Sequence, residues 1–198
     1  MGERLLCKQK VAGSIPAAST AGSSSGKGML MKTLVLVRHA KSSWKDASLA
    51  DRDRPLNRRG ERDAPKMGDQ LADLVGAPDL IVSSPAARAI ATARIVADVV
   101  GYPVDGICED ERIYEASPAE ILEVIRELDD ERDRVFLFGH NPGLTDLVNE
   151  LSEPAIDSVP TSGVVEFRLT ADRWADISRA TVRRGASITP KGGRVEGT

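Results

Sequence analysis

Apolar residues in this chain gather into a few short runs set in a polar or amphipathic background. Leu34-Val35-Leu36-Val37, Leu80-Ile81-Val82 and Val135-Phe136-Leu137-Phe138 are uninterrupted, the pattern of strands buried on both faces in a parallel sheet. Val164-Val165-Glu166-Phe167-Arg168-Leu169 alternates more, as an edge or antiparallel strand does, and Trp174 to Val182 is its candidate hairpin partner. Val104 to Ile107 is a further short strand candidate. Between the runs the period changes to that of helices. Arg58 to Val75 places Met67, Leu71, Leu74 and Val75 at helical spacing, with Asn57 as N-cap and Gly76 and Pro78 as the stop. Pro65 falls inside this pattern, so the helix is expected to begin late or to kink there. Pro85 opens a second helix through about Val100, ended by Gly101. Ser117-Pro118-Ala119-Glu120 is a capping box ahead of Ile121, Leu122, Val124, Ile125 and Leu128, and a last helix spans Leu144 to Leu151. Strands alternating with helices predict an α/β fold, a three-layer α/β/α sandwich with a mostly parallel central sheet joined by right-handed crossovers.

Composition narrows the function. A chain of 198 residues suits one well-cored domain, expected here over 29–184. Residues 1–28 differ from the rest: Ser19 to Gly28 reads STAGSSSGKG, too poor in apolar surface to order itself. This stretch is expected to be a disordered or non-native extension, with Met29 or Met31 as the functional start. A secretory signal is the alternative, but no continuous apolar core of signal-peptide length follows Arg4 and Lys8. Residues 185–198 are expected to form a flexible, Gly-rich tail. The 27 Lys and Arg are interspersed with 30 acidic residues for a net charge of −3, so no cationic field is available for nucleic acid and any anion must be held locally. Only two cysteines occur, Cys7 and Cys108, which make no disulfide framework and fit a reducing cytoplasm. No apolar stretch approaches bilayer-spanning length, so no membrane association is expected.

The chemistry sits where strands end. The first run delivers Arg38-His39-Ala40, the second Ser83-Ser84-Pro85 with Arg88 beyond, and the third Gly139-His140-Asn141-Pro142-Gly143. In open α/β sheets ligands bind outside the carboxyl ends of strands. Taken alone, Arg88 reads as a surface residue on a helix and His140 as a structural loop histidine. Together, two histidines and two arginines converging on one crevice fit a phosphoryl group. The planar guanidinium binds two phosphate oxygens and stays charged, while one neutral imidazole attacks and the other donates to the phosphoryl oxygens. Two histidines without a cysteine cluster do not supply a zinc site, and no phosphate-binding P-loop motif is present. No cofactor or metal is expected. The long polar connection through Lys41-Ser42-Ser43-Trp44-Lys45-Asp46 and Asp51-Arg52-Asp53-Arg54-Pro55-Leu56-Asn57 has the length of segments that cover or line a site.

Val37-Arg38-His39-Ala40, Ser83-Ser84-Pro85 with Arg88-Ala89 and Thr92-Ala93, and Gly139-His140-Asn141-Pro142 resemble the histidine phosphatase superfamily, specifically its small SixA-like phosphohistidine phosphatase branch. Lys41-Ser42-Ser43-Trp44, Asp53-Arg54-Pro55-Leu56 and Ile113-Tyr114-Glu115-Ala116 also resemble that branch, and the likeness spans about Met31 to Val182. The resemblance implies a transiently phosphorylated His39, with Arg38, Arg88 and His140 holding the phosphoryl group. Larger members carry a proton-donating carboxylic acid between the second arginine and the second histidine. On chain order Glu115 is the candidate, with a solvated loop glutamate as the alternative. Lys41, Ser42 and Asn141 are candidate substrate-binding residues. The implied activity is a cytoplasmic phosphatase acting on phosphohistidine in a phosphorylated protein. A broad small-molecule phosphomonoesterase acting on a small phosphate ester, or a phosphate-binding module without turnover, are the other two readings.

Overall fold

In a computed structural model, residues 32–189 and 192–195 of the chain are described. The elements follow as β1 (Thr33–Arg38), α1 (Arg58–Leu74), β2 (Leu80–Ser83), α2 (Ala87–Val99), β3 (Cys108–Glu109), α3 (Pro118–Arg126), β4 (Arg134–Gly139), α4 (Gly143–Leu151), β5 (Val164–Leu169), β6 (Val182–Thr189) and β7 (Gly192–Val195). The strands form one sheet in the order β3-β2-β4-β1-β5-β6-β7. The side from β3 to β1 is parallel, as the uninterrupted apolar runs predict. From β5 onward the sheet is antiparallel, so it is mixed. Only a 3-10 turn, Trp174–Asp176, lies between β5 and β6, and without a crossover helix the chain returns as a neighbour of opposite direction.

Successive strand residues point to opposite layers. Val35, Val37, Ile81, Phe136 and Phe138 pack with Met67 and Leu71 of α1 and Ala93, Val96 and Ala97 of α2. Leu34, Leu36, Val82, Val135 and Leu137 pack on the other face with Ile121, Val124 and Ile125 of α3 and Leu144, Leu147 and Val148 of α4. This is the three-layer arrangement. Because β4 lies between β1 and β2, with Arg38 opposite Gly139 and Ser83 opposite Phe138, three carboxyl ends meet at one edge. That edge carries the two histidines.

Local signals explain most boundaries. Asn57 caps α1 by accepting from the Gly60 amide at 3.0 Å, and Ser117 and Glu120 close the reciprocal capping box on α3. Contrary to the expected late start, α1 runs unbroken through Pro65. The carbonyl that Pro65 leaves without an amide partner belongs to exposed Glu61, on the side water can reach.

Four other expectations are corrected. Residues 104–107 form a 3-10 turn at Val104–Gly106, and the strand lies beyond it at Cys108–Glu109. The partner of β5 is Val182–Thr189 instead of Trp174 to Val182, because Trp174 is a buried anchor whose indole N–H donates to the Arg132 carbonyl at 2.8 Å. The expected tail from residue 185 is paired chain through Thr189 in β6 and again in β7. A Cβ at Gly185 would meet Glu166 Oε2 at 2.5 Å, so glycine here serves close approach within the sheet. Where no disulfide framework was expected, Cys108 is disulfide-bonded. The expected extension over 1–28 lies outside the described residues. Among the described residues no helix is long and apolar enough to cross a membrane.

Candidate active site

The backbone sets the site before any side chain is considered. Beyond the last ladder pairs, the His39 amide donates to the Gly139 carbonyl at 3.2 Å and the Ser84 amide to the Phe138 carbonyl at 2.9 Å. The Ala40 amide donates to Thr92 Oγ1 at 3.0 Å, tying the first histidine loop to α2. His39, Arg88 and His140 are each less than a tenth exposed, and the two imidazole centroids lie 5.0 Å apart.

The two rings are held by different partners. His39 Nδ1 is 2.7 Å from the Ala40 carbonyl oxygen. A carbonyl only accepts, so Nδ1 carries the proton and Nε2 keeps its lone pair. His140 is held through Nε2, 2.8 Å from Ser84 Oγ, and its buried Nδ1 has no partner. Burial, then the charges of Arg88 and Arg38, push His39 down to about 4 against the opposing pull of the Ala40 carbonyl. Burial, then His39 and Arg88, push His140 down to about 3. Both rings are therefore neutral near pH 7.

The cations have distinct supports. Arg38 donates through one terminal nitrogen to the Val159 carbonyl at 2.7 Å, while its buried Nε has no partner. Arg88, in the first turn of α2, donates to the main-chain oxygen of Asp51 and, at 2.7 Å, to Asp51 Oδ2. Asp51 Oδ1 accepts from Arg54 at 2.7 Å, and Oδ2 also accepts from the Tyr114 hydroxyl at 3.1 Å. Partial burial works to raise the Asp51 carboxyl, but Arg88, Arg54 and Tyr114 together hold it below the usual carboxylate range.

The polar connection of 41–57 is pinned rather than loose. Ser42 and Leu56 form an antiparallel bridge, the Ser43 amide donates to the Pro55 carbonyl at 2.8 Å, and the Asn57 amide to the Lys41 carbonyl at 2.9 Å. Gly60 packs so closely on this strap that a Cβ there would run into the Lys41 carbonyl. Arg54 donates to the Ser43 carbonyl and to Ser42 Oγ, and its guanidinium lies 3.2 Å from the centroid of the exposed Trp44 ring.

Of the residues singled out in the sequence, the structure gathers His39, Arg38, Arg88 and His140. The others are placed differently. Ser42 is buried and its hydroxyl accepts from Arg54. Asn141 donates to Ser158 Oγ at 2.9 Å and to the Val159 carbonyl at 3.0 Å. The Lys41 side chain is exposed. Glu115 is exposed with φ of 52°, one residue beyond Tyr114, whose ring stands edge-on to His140 at 5.8 Å. Sequence reasoning passed over Asp51, Ser84 and Tyr114 as site residues. The unusual length of the polar connection was the signal for Asp51, and the turn at the end of β2 was the signal for Ser84. Chemically, the site offers an unprotonated imidazole nitrogen beside two guanidinium groups and a second neutral imidazole, which suits attack on an anionic electrophile. Among the described residues no group of three or more His, Cys, Asp or Glu is placed to hold a metal ion.

Comparison with known proteins agrees with this geometry. The family model of the histidine phosphatase superfamily (branch 1) matches residues 34–140. An uncharacterized chloroplastic protein of Arabidopsis thaliana is 46% identical over 74 residues, covering 37% of this chain and 34% of that protein, so the match spans about a third of that relative. An uncharacterized protein of Mycobacterium tuberculosis is 32% identical over 152 residues, covering 71% of this chain and 91% of its own length. The crystal structure of the putative phosphohistidine phosphatase SixA from Agrobacterium tumefaciens superposes with a TM-score of 0.67 at 29% identity, covering 80% of this chain and 98% of that one.

Proposed function

The chain belongs to the histidine phosphatase superfamily, and from that premise we propose that it removes the phosphoryl group from phosphohistidine on a protein, by way of a phosphorylated His39. The observation that carries the reading is the neutral His39 ring. Its Nδ1–H is committed to the Ala40 carbonyl and its Nε2 is left free beside Arg38 and Arg88.

In the first step the His39 Nε2 lone pair forms a bond to phosphorus as the P–N bond of the substrate breaks. The bonding pair returns to the substrate imidazole, which leaves neutral because it is protonated before cleavage. An alkoxide would need a strong acid at this point, and a phosphoramidate does not. The positive charge that develops on the His39 ring is stabilised by Nδ1–H donation to Ala40. In the second step water attacks the same phosphorus, the P–N bond to His39 breaks, and inorganic phosphate carries off both protons of the water. Arg38 and Arg88 match the charge of the transferring group throughout. An anion beside His140 opposes the burial that keeps the ring neutral, which lets it donate to a phosphoryl oxygen.

Access favours a macromolecular substrate. Between Arg88 and His140 the chain holds the rest of α2, β3, α3, β4 and two 3-10 turns, with no added lid element. The strap beside the crevice displays Trp44 at 75% exposure together with exposed Lys41 and Lys45. An exposed aromatic and two cations beside a site with no added lid suit a phosphorylated side chain on a protein better than a small ester that needs enclosure.

The test compares kcat/KM on a phosphohistidine-bearing protein with that on small phosphomonoesters such as p-nitrophenyl phosphate. A preference of about a hundredfold or more for the protein is expected from the leaving-group argument. Preference for the esters would replace this reading with a general phosphomonoesterase, and turnover of neither would leave a binding module.

A further inference from the structure

Arg88 reaches the strap through its two terminal nitrogens, one to the main-chain oxygen of Asp51 and one to its carboxylate. A guanidinium has five N–H donors. Asp51 takes two, and the Nε edge and the second hydrogens on each terminal nitrogen remain for a ligand. Asp51 does more than hold Arg88. Its Oδ2 also accepts from the Tyr114 hydroxyl at 3.1 Å, and the Tyr114 ring meets His140 edge-on at 5.8 Å with an interplanar angle of 89°. Its Oδ1 accepts from Arg54, which is itself anchored on Ser42 and Ser43. Arg88 and His140 lie on different elements, α2 and the loop after β4, and a link runs between them through the side chains of Asp51 and Tyr114.

We infer that Asp51 is a positioning residue: with Tyr114 it locks Arg88 and His140 into one rigid frame for the phosphoryl group. The inference rests on the phosphoryl-binding role proposed above for Arg88, and it assigns Asp51 work on the strap side of the site that Glu115, exposed beyond Tyr114, does not perform. A freely rotating arginine loses side-chain entropy each time it grips an anion, whereas one already held by a carboxylate has lost it on folding. The frame also makes the strap part of the site. Residues 41–57 carry Asp51 to Arg88, and the turn before α3 carries Tyr114 to Asp51.

A second role for the same carboxylate has the opposite sign and is separable. A resident anion competing for Arg88 would have to be displaced by the ligand, and its removal would tighten binding. The experiment is equilibrium binding of inorganic phosphate, followed by calorimetry, to the wild-type chain, Asp51→Asn, Tyr114→Phe, Arg88→Ala and the Asp51→Asn/Arg88→Ala double variant. Loss of a charge-assisted contact predicts about tenfold weaker phosphate binding for Asp51→Asn. A neutral hydroxyl contact predicts about threefold weaker binding for Tyr114→Phe, which keeps the ring on His140. In the Arg88→Ala background, Asp51→Asn is expected to cost less than it does in the wild type, the non-additivity of residues acting through one another. Should Asp51→Asn fail to fold, Tyr114→Phe carries the same test. Unchanged or tighter phosphate binding in either single variant overturns the inference, as does a full additional loss in the Arg88→Ala background or the absence of phosphate binding by the wild type. If the wild type binds phosphate with these dependences yet hydrolyses no phosphoryl compound, the proposed function fails and the frame stands.

Discussion

The ends of β1 and β4 are built alike and finished differently. Each is an apolar strand buried on both faces, the two are hydrogen-bonded in parallel register, and each delivers a histidine one residue past its last ladder position. The rings come to rest 5.0 Å apart. The difference lies in which nitrogen is held. His39 is gripped at Nδ1 by the carbonyl of the next residue, which forces the proton onto that nitrogen and turns a lone pair outward. His140 is gripped at Nε2 by Ser84, from the end of a third strand, through a hydroxyl that can donate or accept. Under the proposed reaction, the backbone carbonyl fixes the tautomer that makes His39 the nucleophile, and the hydroxyl leaves His140 an adjustable donor. Two near-copies of one strand-end design can thus take complementary parts.

The largest expected effect separates the two histidines outright. Under the proposed reaction, His39→Ala removes the nucleophile and lowers kcat by about 10⁴-fold or more, while His140→Ala removes a stabilising donor and costs about 10²-fold. Equal losses in steady-state turnover would erase the distinction. Ser84→Ala acts one step further out. It leaves His140 without its holder, and a loss of about tenfold in kcat, with His39 chemistry intact, is expected. A loss matching that of His140→Ala would mean that Ser84 itself contacts the phosphoryl group.

The smallest effect is spectroscopic, and it is read without substrate. With only two histidines in the chain, ring nitrogen resonances are assignable with one variant. His39 at about 4 and His140 at about 3 lie below the ordinary histidine value of 6.5, so neither should titrate between pH 8 and 5. A folded value below the unfolded one means that the unfolded chain binds more protons in between. These rings therefore support folding fully above about pH 6.5, and that support is lost as pH falls toward 4. Titration of either ring near 6.5 would contradict the buried, cation-flanked environment described for it.

Sequence alone made the strand ends readable because each is a local pattern, an apolar run followed at once by a polar residue of distinct chemistry. His39, Arg38 and His140 each follow such a run and Arg88 lies on the helix after β2, and it was only together that they pointed to a phosphoryl group. What joins them is not local. Asp51 meets Arg88 across 37 positions and Ser84 meets His140 across 56, and no periodicity encodes such pairings. The same limit explains the carboxyl-terminal side of the sheet. Gly185 belongs to a strand because its missing side chain admits Glu166, whereas in composition it reads only as a breaker. Trp174 likewise looks like a strand residue until its packing against the α3 and α4 layer makes it an anchor.

The central claim is that a phosphoryl group passes through His39. Incubating the chain with a labelled phosphohistidine protein, quenching in alkali and mapping the retained label tests it directly. The account predicts acid-labile, alkali-stable label on His39, absent from His39→Ala and still formed, more slowly, in His140→Ala. Label on another residue, or turnover by His39→Ala at the wild-type rate, would contradict it.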